Sequence, residues 1–487
     1  MTCCCSRKGR LACGLTTGVV LLITGLIIMC VGNKLVKDVV KKEALLVNGT
    51  MAFDNWAEAS NDFYEQFFFF TVVNYLEFTE DHATPYLKQM GPYTYRIKYL
   101  PKTKITFDNN ILSYIQHNEA TFIPELSQGP EDDVITTLNI AAVIAPVLLK
   151  GIIPNSIISI FYKAFGVELF QKRTVRELLW GYEDDILKHF KVADPTIGLF
   201  YPYNGTTNGG MSIYTGEKDL NNVGVINKWA GKKSITYWND TYCDMINGTE
   251  ATSFPPFVKK YQTLYFFSSD ICRSIFAKYH STKFIKKIRA LSFVVPEESM
   301  AAAQTYPDNY CFCKNSEAFL KNCTKAGVLD LTPCKGVPMF MSLPHFLFAD
   351  EEYRRDVEGM HPNFEEHKTH LDIEPLSGIT ISYAKRLQIN LRLQPFTDIK
   401  LLDLPKDILF PIVWLNETAT ISEEDAKMLN DSMNTPLTII TFLEFILMIF
   451  GALIILLTFC LYIFYPDPKD DMEDKLVNGH HRNSIPM

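Results

Sequence analysis

Cys311, Cys313 and Cys323 stand within fifteen residues, NYCFCKNSEAFLKNC at 309–323. Thiols this close together bind a metal, exchange electrons or lock a fold outside the cytosol. Zinc sites favour C-x2-C spacings, and the spacing here is C-x-C. Adjacent-but-one cysteines seldom bridge each other, because a disulfide holds its Cα atoms about 4.4–6.8 Å apart with converging Cβ vectors. Cys311 and Cys313 are therefore expected to reach different partners. Cys243, Cys272 and Cys334 bring the group to six within 92 residues. An even number in an oxidising compartment reads as three disulfides.

The run HPNFEEHKTHLDIE (361–374) holds three histidines and four acids. His367 and His370 would share a face of one helix, but HEXXH is absent and Pro362 and Pro375 bracket the run. A solvated loop or hydrogen-bonded turn is expected, with no metal and no cofactor. His345 in LPHF reads as a satisfied buried histidine. G-x-S-x-G, a P-loop and S-x-x-K with its partner motifs are all missing, so no catalytic residue is assigned.

The elements that position these residues begin with two apolar segments. LACGLTTGVVLLITGLIIMCVG (11–32) carries no charge; at about 33 Å as a helix it is long enough to cross hydrocarbon. FILMIFGALIILLTFCLYIFY (445–465) does the same at the other end. The first is too long for a signal peptide and lacks a small-x-small cleavage site, so it reads as an uncleaved anchor. The expected organisation is a tail at 1–10, a span at 11–32, an ectodomain at 33–436, a span at 437–465 and a tail at 466–487.

Lysines and arginines flank the first span on both sides, so the positive-inside rule decides little. N-x-S/T occurs at Asn48, Asn204, Asn239, Asn247, Asn322, Asn416 and Asn430, every one between the spans. Seven sequons confined to one compartment favour an extracellular or lumenal body with both termini cytoplasmic. Cys3, Cys4 and Cys5 then lie beside basic residues at the membrane, where S-palmitoylation is expected. Cys13 is a weaker candidate, while Cys30 and Cys460 read as small apolar residues.

Strand signals dominate the ectodomain. In ITISYAKRLQINLRL (379–393) apolar residues alternate, with Lys385 the one exception. GPYTYRIKYL and NILSYIQH give shorter strands, and the whole suggests a β-rich, barrel-like body. Residues 134–170 break the pattern, with only Lys150, Lys163 and Glu168 charged. Pro146, Gly151 and Pro154 divide this segment into pieces that are either core helices or an exposed apolar cap. Thr174 and Glu177 form a capping box that starts a helix through RELLWGYEDDIL.

A net charge of −8 argues against nucleic acid. Two basic clusters, Arg96, Lys98, Lys102 and Lys104, then Lys283, Lys286, Lys287 and Arg289, suit an anionic ligand or are merely solvated. Glu444, about eight residues into the second apolar segment, is a functional candidate by default, though this close to the interface it is expected to snorkel.

WNDTYCDMINGTEATSFPPFV, FFSSDICRSIFAKY, PDNYCFCKNSEAFLKNCTKAGVLDL, GPYTYR, RELLWGY, GLFYPYN and EEHKTHLDIEPLSGI together resemble class B scavenger receptors. The resemblance runs over nearly the whole chain. It implies an α+β fold: a barrel-like ectodomain crossed by an apolar tunnel, an apical helical bundle around 134–190 and two transmembrane helices. It implies the disulfides Cys243–Cys311, Cys272–Cys334 and Cys313–Cys323. The implied function is a cell-surface scavenger receptor that promotes fatty acid uptake. Its implied partners are long-chain fatty acids, oxidised low-density lipoprotein, thrombospondin-type proteins and membrane lipid, in a homo-oligomer or cluster. Lys163 is the candidate partner of the fatty acid carboxylate, although alignment from RELLWGY puts the family's lysine at Ala164. The tail PDPKDDMEDKLVNGHHRNSIPM departs from the short basic tail of related receptors and lacks a terminal leucine-isoleucine sorting signal. Two alternatives are a two-span ectoenzyme, which lacks Asp-Gly-Ser/Thr phosphate loops here, and a two-span ligand-gated channel, for which Glu444 is the one hint.

Overall fold

The computed structural model describes residues 7–464 apart from 59–62, 193, 203, 208, 317, 318 and 322. Cys3, Cys4, Cys5, Asn322 and the 466–487 tail lie outside the described residues. The chain divides into two units, the terminal helices and the body Glu43–Ser422.

In the first unit an N-terminal helix runs Arg7–Glu43 and a C-terminal one runs Glu423–Phe464. Both are long and apolar enough to cross a membrane, and both continue beyond their apolar stretches. Small residues let them approach closely. A Cβ placed on Gly18 would come within 2.8 Å of the Gly451 carbonyl oxygen, and one on Gly25 within 3.2 Å of that of Glu444. Glu444 is buried in this helix pair, and its Oε2 has no hydrogen-bond partner among the described residues. The expectation that it snorkels is thus corrected: it sits on the face that meets the first helix.

The body is built on an eleven-stranded antiparallel sheet. Its strands are β1 Phe63–Val72, β2 Leu87–Tyr99, β3 Asn118–Phe122, β4 Leu264–Ser268, β5 Arg273–Ile285, β6 Ile288–Val294, β7 Val328–Asp330, β8 Met339–Ser342, β9 His370–Ile373, β10 Thr380–Leu393 and β11 Ile408–Thr420. The order is β4-β5-β6-β9-β10-β11-β1-β2-β3, with β8 also on β10 and β7 on β8. Among the described residues no pairing between β3 and β4 closes it, so the barrel expectation is corrected to an open sheet. The reason lies at the edges, where other segments take up the unpaired backbone groups. The Ala120 amide donates to Asn204 Oδ1 at 3.0 Å on β3. On β4 the Thr249 amide donates to the Tyr265 carbonyl at 3.2 Å, and the Phe267 amide to that of Thr249 at 2.9 Å.

The half-buried alternation read from the sequence of β10 is corrected, since Leu387–Leu391 is buried throughout with Gln388 and Asn390 inside, and β11 does not alternate either. Ile408–Leu415 is buried throughout, because both faces of this central strand are covered. Phe67 and Phe69 on β1 join one hydrophobic cluster and Phe70 joins a second.

Residues 134–190 are not purely helical. Strands Val134–Leu138 and Phe170–Thr174 pair with each other, and between them lie α1 Ile140–Leu148 and α2 Asn155–Ala164. Asn139 caps α1 by accepting the Ala142 amide at 3.2 Å. The capping box at Thr174 and Glu177 is present and starts α3 Val175–Trp180. That helix does not run on through YEDDIL. Gly181 turns the chain at φ 111°, where a Cβ would press on Thr196, and Asp184 caps a new helix, α4 Asp185–His189.

Candidate functional site

The two readings of the 134–170 segment divide between its helices. α1 is core, with Ile140–Pro146 all buried. α2 buries Ile158, Phe161 and Tyr162 and is tied to α1 by the Tyr162 hydroxyl, which donates to the Ala142 carbonyl at 2.9 Å. Its opposite face is apolar and open: Ile160 is 64% exposed, with Ile152 at 74% and Phe165 at 65% on either side. Exposed apolar surface of this kind marks interaction sites. The Phe165 and Phe161 rings lie 4.4 Å apart, and His189 stacks on Phe161 at 4.2 Å.

Lys163 occupies the last turn of α2, where a cation also suits the helix dipole. It is exposed and has no carboxylate within ion-pair distance among the described residues. Ala164, the position indicated by alignment, is exposed as well.

A second constellation was invisible in the sequence. Glu417 on β11 lies opposite Glu65 on β1 and opposite Lys385 on β10. Lys385 binds Asp270 at 2.9 Å and also pairs with Glu417. The Tyr383 hydroxyl donates to Glu417 Oε1 at 2.8 Å. Burial, and then the neighbouring Glu417 carboxylate, push Glu65 up to about 8. Burial opposes the Lys385 charge, but Asp270 and Glu417 outweigh it and hold the ammonium well above its ordinary value. Lys385 in turn holds Asp270 below the usual carboxylate range.

The histidines are structural. His345 Nδ1 accepts the His361 amide at 3.1 Å, so its Nε2 carries the hydrogen and donates to Gln89 Oε1 at 2.8 Å. Trp414 Nε1 donates to the same oxygen at 2.8 Å. His367 stacks on His345 with ring centroids 4.6 Å apart, and its Nδ1 accepts the Asn363 amide at 3.0 Å. Burial lowers His345 to about 3 and His367 to about 4. His367 ends a short helix and His370 begins β9, so the shared helix face is corrected. Among the described residues no three His, Cys, Asp or Glu side chains converge as metal ligands.

The ectodomain cysteines pair as Cys243–Cys311, Cys272–Cys334 and Cys313–Cys323, with Cα separations of 6.1, 6.5 and 5.7 Å. Cys311 and Cys313 do part company. Asn48, Asn204, Asn239 and Asn247 are exposed, while Asn416 and Asn430 are half-buried. The first basic cluster is partly consumed by packing: Lys102 Nζ donates to the Trp56 carbonyl at 2.7 Å.

Comparison with known proteins now bears on this arrangement. The sequence pattern of the CD36 family matches residues 16–462. The chain belongs to the CD36 family. It is 38% identical to human lysosome membrane protein 2 over 447 residues, 90% of this chain and 91% of that protein. It is 28% identical to pig scavenger receptor class B member 1 over 491 residues, 96% of this chain and 94% of that one. The rat protein of the same name is 28% identical over 501 residues, covering 99% and 96%. The chain is thus a member of a class B scavenger receptor family of membrane proteins, and its two terminal apolar helices are consistent with a two-pass topology.

Proposed function

We propose that the chain is a non-catalytic two-pass receptor that takes long-chain acyl lipid from oxidised lipoprotein or free fatty acid at the open face of α2. From there an apolar passage through the body would lead the chain toward the membrane. In this reading residues 33–436 are extracellular and N-glycosylated, Cys3, Cys4 and Cys5 are palmitoylated, and thrombospondin-type proteins bind the same exterior. The observation that carries it is the exposed Ile152, Ile160 and Phe165 surface beside an unpaired Lys163. An acyl chain gains about 0.8 kcal/mol per CH2 removed from water, and its carboxylate needs a cation or solvent. The surface supplies both.

Two measurements test this. Mass spectrometry of lipid extracted from the purified full chain should find bound acyl chains; their absence removes the passage. Lys163→Ala should slow fatty acid uptake about two- to fivefold, the worth of an exposed ion pair, while Lys163→Arg preserves it. Unchanged uptake in the alanine variant takes Lys163 out of the mechanism. The higher identity to lysosome membrane protein 2 favours a second reading, residence in the lysosome. Surface biotinylation against lysosomal fractionation separates the two.

A further inference from the structure

The apolar stretches of the two terminal helices hold a single charged side chain. Residues 11–33 carry none, and 435–464 carry only Glu444. Glu444 is 5% exposed, and its Oε2 is closed off with no hydrogen-bond partner among the described residues. Its backbone carbonyl faces Gly25 of the N-terminal helix. Lys34, the nearest cation along that helix, stands about 13 Å farther on at the α-helical rise. Hydrocarbon offers no water, so an acid at this depth is costly and is ordinarily paired.

The surroundings explain why Oε2 has no donor. One turn to either side of Glu444, Ile440 and Met448 fill the space left by Gly32 and Gly25. The Thr24 hydroxyl, next to Gly25, is spent on the Val20 carbonyl at 2.8 Å. Farther along the seam Gly18 and Gly451 back onto each other, with the Gly18 carbonyl oxygen 2.8 Å from a Cβ placed on Gly451. This close contact sets the register that keeps the carboxyl on the seam. A second copy of this chain does not answer it, because its spans would bring another acid and no cation. The complement has to come from a different membrane protein. Lysine and arginine fit, since each carries its charge at the end of a long apolar stem that can pack beside lipid-facing side chains such as Leu443 and Phe445.

We infer that Glu444 is the docking point for a third transmembrane helix, one from a partner protein that carries a lysine or arginine in the half of its span level with Glu444. The ion pair then joins the two proteins inside the membrane. The inference needs both terminal helices to cross the membrane and is independent of acyl uptake at α2. The test co-expresses the full chain with tagged single-span probes, each a leucine-alanine helix of about 22 residues. One probe has a lysine at the depth of Glu444, one has it near the opposite end and one has none. Co-purification in mild detergent should recover the first about tenfold or more above the other two. Glu444→Gln should remove that excess. The substitution keeps the shape of the side chain, so the melting temperature of the body should not move, and Lys163→Ala should leave recovery intact. Equal recovery of the lysine-free probe overturns the inference, as does an excess that survives Glu444→Gln. So does an excess that sphingosine, a single-chain amine, displaces in full, which would mark a site for amphiphilic amines instead of a helix.

Discussion

Replacing Cys272 and Cys334 together by alanine is expected to leave much of the protein unfolded and retained during biosynthesis. The bridge closes a chain separation of 62 residues. Loop-closure entropy alone puts such a link at about 4 kcal/mol, a large part of the roughly 5–15 kcal/mol that holds a domain together. The local structure adds to the loss. Trp238 Nε1 donates to the Cys272 carbonyl at 2.7 Å, and Arg273 next to it is buried, its guanidinium pulled down to about 9 by that burial. The Cys243–Cys311 link, with a separation of 68, should cost about the same to remove. Cys313–Cys323 spans only 10 residues and should cost about 3 kcal/mol. Thermal unfolding of the three double variants orders them, and endoglycosidase H sensitivity reports their retention. A Cys313–Cys323 deletion more damaging than either long link would refute the loop-entropy account.

What was legible in the chain followed from local periodicity and from compartment. Alternation located β10, and the Thr174–Glu177 spacing located the start of α3. The C-x-C spacing pointed to different partners for Cys311 and Cys313. The open face of α2 could be anticipated as one of two alternatives, because composition shows apolar residues on all sides but not which neighbours cover them. Burial of α1 by the second hydrophobic cluster and the bareness of Ile160 are tertiary facts. Gly181 ended a helix that its flanking residues would have continued, since a capping Asp184 follows it at once. The buried charge cluster was the least legible feature. Glu65 and Glu417 meet only because β1 and β11, from opposite ends of the body, pair with each other. Lys385 carried the one local sign, as the polar residue that broke the alternation of β10. Its physical reason is now visible: it answers carboxylates from β11 and from the turn before β5.

Lys385→Met is expected to destabilise the body by about 3 kcal/mol at neutral pH. Removing one partner of a buried ion pair typically costs 3–5 kcal/mol, and the half-exposed Asp270 moderates the loss. The same cluster shapes the pH profile. Glu65 holds its proton up to about 8 in the folded state against an ordinary 4.5. Its contribution to stability is therefore full below about pH 4.5 and is lost as pH rises toward 8. His345, His367 and His370 have folded values near 3, 4 and 4 against an ordinary 6.5, each depressed first by burial. The folded state keeps them neutral, so the unfolded chain gains protons first and stability falls as pH drops below about 6.5. The two limbs face each other, and stability should peak near pH 6.5. Each proton tilts its limb by about 1.4 kcal/mol per pH unit. Glu65→Gln should flatten the alkaline limb and raise the melting temperature above pH 7, and because Glu65 titrates from about 4.5 it should also steepen the acid limb between about pH 4.5 and 6.5. Melting of the full chain in detergent from pH 4.5 to 8.5 reads both limbs. An alkaline limb that survives in Glu65→Gln would show that Glu65 does not carry it. A body with this profile stays folded near neutral pH and loses stability steadily in acid, where the His345, His367 and His370 imidazoles oppose it.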